Sequence, residues 1–312
     1  MLNASEIYSG LSPDLANLDV ERARLYKKTH PINIGFFTLL LGGGALLYWL
    51  LNNALDATLN WYVPVYCGTT FICFILWVFG RDYYKQKFKK LFISEIVPKI
   101  VTNLGADFTY DHEQHVSATE VRDSLLFPDF NKFDSEDLVR GTIDGVTLKF
   151  AEIKLVKSKS KSSGSGSTHT TIFKGVYFNA SLHVTFPTSI WLVTSEFDDT
   201  LKGSKLSKVV LEDNPIRKYK YFAQDPEVAK SVLKPFILEK IDALNQRLKA
   251  EGIAKKPLIY RFSKNRVQLA IWTKHGLFEP RLSQTINNRE FIEKQTTPLN
   301  AIAGLLGDLT LS

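Results

Sequence analysis

Two cysteines, one methionine and no familiar catalytic signature leave few chemistries open to this 312-residue chain. Cys67 and Cys73 lie six apart in an apolar run, so on a helix they face different sides. No local disulfide or metal clip is therefore indicated, and buried, reduced thiols are expected. No G-x-S-x-G elbow, phosphate-binding GK[ST] loop or dinucleotide fingerprint occurs. The nucleophile–base, P-loop and Rossmann readings therefore have no local support, and no metal or cofactor is expected. The N-terminal stretch "MLNASEIYSGLSPDLANLDVERARLYKKTH" lacks a positive region followed by an apolar core, so no cleavable signal peptide is expected. The connection Asn52–Asn60, "NNALDATLN", has no Lys or Arg at all.

On either side of that connection stand two charge-free runs. Ile34–Leu51, "IGFFTLLLGGGALLYWLL", and Tyr62–Phe79, "YVPVYCGTTFICFILWVF", have 18 residues each. As helices each spans about 27 Å, close to the hydrocarbon thickness of a bilayer. Trp49, Trp61, Tyr62 and Trp77 sit near their ends, where amphipathic rings favour the membrane interface. A pair of buried core helices is the bland alternative. Arg22, Arg24, Lys27 and Lys28 precede the first run, and Arg81, Lys85, Lys87, Lys89 and Lys90 follow the second. The positive-inside rule then puts both flanks in the cytoplasm and the short connection outside. Gly35, Gly42, Gly43 and Gly44 mark a close-approach face for helix packing, against the second span or against another chain.

From Asp82 to Asn103 the pattern continues as a basic amphipathic helix that Pro98 kinks or ends. Arg81, Lys85, Lys87, Lys89 and Lys90 there are candidate contacts to anionic lipid headgroups, or a topology signal on a solvated face. Nucleic acid is not an expected partner, although the net charge is +7.

Beyond Tyr110 the patterning is mixed. Val146, Leu148 and Phe150 alternate, and Ile153 and Leu155 take the opposite parity, which suggests a bulge near Ala151–Glu152. A strand from Tyr177 to Phe186 and a short one at Ile190–Thr194 follow, after a Gly/Ser-rich loop at Ser158–Thr171. Asp225 and Pro226 start a helix that Pro235 should kink. "LIYRF" and "RVQLAIW" read as a hairpin about Ser263–Asn265, and a final helical segment, Arg289–Leu309, is interrupted at Pro298. The expected fold class is α+β: an N-terminal two-helix transmembrane hairpin, then a cytoplasmic domain of mixed antiparallel sheet and helices. The expected domains are 1–33, an amphipathic cytoplasmic segment; 34–79, the hairpin; 80–104, the basic connector; and 105–312, the α+β domain.

Two clusters invite chemistry. "HEQH", His112–His115, places two His three apart, a spacing one helix face can hold, against the bland reading of a polar turn. Asp129, Asp134, Glu136 and Asp137 could supply an acid and a base, although Ser135 before Glu136–Asp137 also suits a helix start.

The stretches "FDSEDLVRGTIDGVTLKFAEIKL", "TIFKGVYF", "DPEVAKSVLKPFILEKI" and "RVQLAIWTKHGLFEP", in that order, resemble a family of bacterial membrane proteins catalogued as a domain of unknown function. The resemblance implies a two-span hairpin with a cytoplasmic α+β domain in the bacterial inner membrane. It also implies a neighbourhood with the LemA family of membrane-anchored helical proteins, and no established site residues. The expected function is a membrane-anchored scaffold or regulator, non-catalytic, that presents its domain to a membrane-protein partner, a LemA-like protein or a second copy of itself. The alternatives are a membrane-surface enzyme working near Asp134–Asp137 and a binder of anionic headgroups. The lipid bilayer is the one partner common to all three.

Overall fold

The computed structural model describes residues 3–53, 62–105, 107–143, 145–160, 166–201, 205–212, 214, 216–273 and 276–310. They form two compact units: Gly10–Ile96 with Pro280–Asn288, and Met1–Ser9, Val97–Glu279 and Arg289–Ser312.

The first of these units is a helical hairpin. Helix α1 runs Ala4–Asn53 and helix α2 runs Tyr62–Glu95. The N-terminal segment and the first apolar run are thus one helix, carrying Pro13 and Pro31 inside it, and the second run continues directly into the basic stretch. The helices pack antiparallel through polar pins in an apolar seam. The Tyr66 hydroxyl donates to the Leu40 carbonyl (2.7 Å) and Trp77 Nε1 to Asn33 Oδ1 (2.9 Å). Phe36 stacks on Trp77 at 5.0 Å between centroids. Both helices are long and apolar enough to cross a membrane, and none of the residues in their apolar windows is buried. Cys67 is exposed and Cys73 half-buried, a correction to the expected buried thiols. The physical reason is that the apolar surface of α2 is left bare rather than packed into a protein core. Residues 280–288 dock on α1: the Arg22 guanidinium donates to the Leu282 carbonyl (2.9 Å) and the Ile286 N–H to Asp19 Oδ1 (2.9 Å).

The other unit is built on an antiparallel sheet. Its elements are α3 (Val97–Thr102), β1 (Thr109–Asp111), α4 (Ala118–Asp123), β2 (Lys132–Ile143), β3 (Val146–Ser160), β4 (Ser167–Thr194), α5 (Asp198–Leu201) and β5 (Ser207–Val209). There follow β6 (Tyr219–Ala223), α6 (Pro226–Val232), α7 (Pro235–Ala250), β7 (Ile259–Trp272) and α8 (Arg289–Thr310). Strand order is β1-β2-β3-β4-β6-β5, with β7 along the other edge of β4. The 28-residue β4 is the spine, pairing first with β3 and then with β6 on one side and with β7 on the other. This is the expected α+β class.

Several local expectations change. The segments around Ser263–Asn265 make one strand rather than a hairpin, because both halves of β7 pair with β4, across irregularities in β4 at Ser181–Phe186 and Phe186–Ile190. The bulge lies in β2, between Glu136 and Val139, and not in β3 at Ala151–Glu152. In β3 both faces are covered there, so Ala151, Glu152 and Ile153 are all buried and parity carries no signal. The Gly/Ser-rich loop is shorter than expected: Ser158, Lys159 and Ser160 pair with His169, Thr168 and Ser167, while 161–165 lie outside the described residues. Pro235 starts α7 instead of kinking a longer helix, since α6 has ended at Val232. Pro298 sits inside an unbroken α8, whose apolar face, Ile292, Leu299, Ile302, Leu305 and Leu306, is buried, and that packing offsets the missing N–H.

Two layers of core result. One face of the sheet packs Leu138, Ala151, Ile153, Tyr177, Trp191 and Ala270 under the segment from Val116 to Phe130. The other carries Val139, Phe150, Phe178 and Leu269, with Phe150 stacked on Phe178 at 4.9 Å and α8 against β4.

Candidate functional site

The acidic expectation lands on the β2 bulge, as a strand feature rather than a helix start. Asp137 takes a left-handed backbone (φ 61°) and is 2% exposed. The bulge swings its carboxylate to the face of Tyr110 and Glu152. There it accepts from the Tyr110 hydroxyl (2.5 Å) and from His112 Nδ1 (2.8 Å). Glu136 stands opposite Glu152 in the β2–β3 register. The Glu152 carboxylate accepts the Leu277 N–H, and Glu279 accepts the Gly276 N–H at 3.1 Å. A Cβ on Gly276 would stand 2.7 Å from Glu152 Oε1 and 2.5 Å from Glu279 Cγ, so any side chain there would have to push the two acids aside. Burial, with the charges of Asp137, Glu279 and Glu136 adding to it and the Leu277 N–H opposing, pushes Glu152 up to about 7. Burial, then the Asp137 bond, raises Tyr110 well above the usual phenol range.

The four acids do not converge. Asp129 is exposed and paired with Lys157, and Asp134 is exposed opposite Lys154. Nor do the two histidines. The stretch is a turn in which Asp111 Oδ1 accepts the N–H groups of Glu113 (2.9 Å) and Gln114 (3.0 Å), leaving His112 at the bulge and His115 on the opposite side of the sheet. His112, Glu136 and Asp137 do bring three ligand atoms within 4.8 Å of one another. Asp137 Oδ1 already serves Tyr110 and His112. Sequence reasoning missed Tyr110 and Glu152. The signal for Glu152 was an acid within the otherwise apolar run Phe150–Ile153, "FAEI".

The opposite face carries a cleft of about 1040 Å³. Arg140, Lys149, Asn179 and Gln268 are register partners across β2, β3, β4 and β7 and form its floor. Glu120 of α4 braces the floor, accepting from Lys149 Nζ (2.6 Å) and Asn179 Nδ2 (2.7 Å). Arg261, Lys264 and Arg266 of β7 line one end. None of these cleft residues was singled out from the sequence.

The hairpin residues named from sequence are placed as follows. A Cβ at Gly43 would lie 2.7 Å from the Tyr66 ring, and one at Gly44 3.2 Å from the Tyr66 hydroxyl. Gly35 and Gly42 have open space beside them. Arg81 lies over the Trp77 ring at 4.8 Å, Lys85, Lys87 and Lys90 are exposed, and Lys89 is half-buried.

Among curated proteins nothing matches the chain. A crystal structure of the mycobacterial trehalose monomycolate transport factor A, TtfA, aligns at 10% identity with a TM-score of 0.31, over 63% of this chain and 86% of that one, a likeness too slight to bear on fold or function. Residues 171–311, from β4 through α8, match the family model described as protein of unknown function (DUF3137).

Proposed function

We propose that this chain is a membrane-anchored, non-catalytic binding protein that holds its α+β domain at the cytoplasmic face of the inner membrane and presents it to a membrane-protein partner. One observation carries the anchoring: two long apolar helices, pinned to each other, whose apolar windows are wholly unburied. Left in water, such a surface would exceed the apolar patches that soluble monomers expose. Charge supports the orientation, with nine Lys and Arg in the flanks against none in Asn52–Asn60. An anchor also raises the domain's effective concentration toward other membrane proteins without any new contact. The state of the acids supports binding over turnover. Asp137, Glu152 and Glu279 each accept hydrogen bonds from within the domain, as structural carboxylates do.

Carbonate-washed membranes should retain the full chain. Recovery of the full chain in the wash would overturn the anchor. Single cysteines at Thr58 and Ser165, both outside the described residues, in a chain lacking Cys67 and Cys73, test the orientation. An impermeant reagent should label position 58 and not 165 in intact cells, and the reverse pattern would overturn it. Crosslinking in intact membranes, followed by identification of the captured chains, tests the partner. A LemA-like protein or a second copy of this chain are the outcomes expected, and a full chain that captures no other protein would count against presentation.

A further inference from the structure

The cleft on the Arg140–Gln268 face is assembled by a phase shift in one strand. Along a regular strand, residues five apart point to opposite faces. Arg261 and Arg266 are five apart, and both line the cleft. Lys264 lies between them in a left-handed conformation (φ 51°), costly for a lysine, and resets the alternation. The same shift lets Arg261 donate to Gln268 Oε1 (3.1 Å), seven residues on.

Arg261, Lys264 and Arg266 are thereby brought to one cleft with no ion-pair partner among the described residues. Arg261 lies over the Trp191 ring (5.0 Å) and among the described residues bonds only to neutral acceptors, the Asp123 carbonyl (2.7 Å) and Gln268. Its Nε is buried and has no acceptor among the described residues. Lys264 and Arg266 have no ion-pair partner among the described residues, and Arg266 sets a like charge toward Arg261. Two acids line the cleft. Glu120 is engaged by Lys149 and Asn179, and the Asp123 carboxylate acts on Arg261 only through space. A half-desolvated guanidinium beside two more cations is an unfavourable arrangement that a bound anion relieves. Three cations at one end suit a dianion better than a single carboxylate, and Arg forks match phosphate oxygens. The volume, at the upper end of the range for small-molecule sites, leaves room for more than a bare phosphate.

We propose that this cleft binds a phosphate ester, its phosphate held by Arg261, Lys264 and Arg266 and its polar body lying along the Arg140–Lys149–Asn179–Gln268 row. The site lies wholly within the sheet unit and does not rest on the anchoring reading. Its ligand is either a free ester or the headgroup of a phospholipid.

The full chain in phosphatidylcholine nanodiscs is titrated with glycerol 3-phosphate, and in a parallel arm reconstituted into discs containing phosphatidylglycerol. Saturable binding of the free ester is expected if the source is soluble. A rise in melting temperature confined to the anionic discs is expected if it is a headgroup. In either case Lys264→Gln and Arg266→Gln, both exposed, should weaken the response at least about tenfold, while Lys249→Gln, exposed on α7 and outside the cleft lining, should leave it unchanged. Arg261→Gln should abolish it. If that variant fails to fold, the two exposed variants still decide. No saturable response in either arm, or a response that Lys264→Gln and Arg266→Gln leave intact, overturns the proposal.

Discussion

The ring of Tyr66 occupies the space that a side chain on Gly43 would need: a Cβ there would stand 2.7 Å from the ring, whose hydroxyl meanwhile donates to Leu40. Gly43→Leu must therefore displace the ring and break that bond, although leucine itself favours insertion. The expected result is normal insertion with a loss of about 1–3 kcal/mol of hairpin stability, read as a lower melting temperature in detergent. Adding Tyr66→Ala should cost less in the Gly43→Leu background than alone. Strict additivity would sever the link between the two residues.

Glu152 makes stability depend on pH. Its folded-state pKa of about 7 stands above the ordinary value of 4.5, so the native state holds a proton that the unfolded chain has released. Stability should fall as pH rises from about 4.5 to about 7, by about 3 kcal/mol from this group, and then level off. Glu152→Gln keeps an acceptor for the Leu277 N–H and removes the titration. Denaturant titrations at pH 5 and pH 8 should differ less in the variant, with the variant the more stable at pH 8. An unaltered pH slope would count against this assignment.

Asp134 and Asp137, three residues apart, should behave differently. Asp134→Asn changes an exposed group and should stay within about 0.5 kcal/mol of the parent. Asp137→Asn leaves the left-handed backbone tolerable but weakens the acceptor of Tyr110 and His112, and should cost about 1–3 kcal/mol. Tyr110→Phe should mirror it. Unfolding midpoints of the three variants check the ordering, and equal values for Asp134→Asn and Asp137→Asn would contradict it.

Replacing residues 161–166 by a two-residue turn should leave the melting temperature within a few degrees, because loop closure depends weakly on length. Asn131→Ala should cost more than the replacement. Its side chain clamps Ser158 in both directions, donating to the carbonyl (2.8 Å) and accepting from the N–H (2.8 Å). A larger loss on shortening than on Asn131→Ala would show that the replaced segment itself binds or packs.

Much of the architecture was legible locally. Two charge-free runs make membrane-compatible helices because length and polarity set that property residue by residue. Asp225 and Pro226 start a helix because capping involves only near neighbours: the Asp225 carboxylate accepts from Glu227 N and Val228 N at 3.1 Å. Alternation in β3 and β4 marked strands for the same reason. Tertiary structure decided what depends on a partner strand. The parity change near Ala151 in β3 reflects burial on both faces, and the bulge it hinted at belongs to β2, where Asp137 turns inward toward Tyr110. Ser263–Asn265 looked like a turn, yet β4 holds both flanks in one strand, and the left-handed Lys264 then aligns Arg261 with Arg266. His112 and His115, three apart in sequence, part to opposite faces, while Glu152 and Glu279, 127 residues apart in the chain, close on Gly276. Periodicity determines which elements can form, since it is a property of neighbours. Register, bulge position and the charge of each sheet face depend on which distant strand supplies the hydrogen bonds, and that only the folded chain decides.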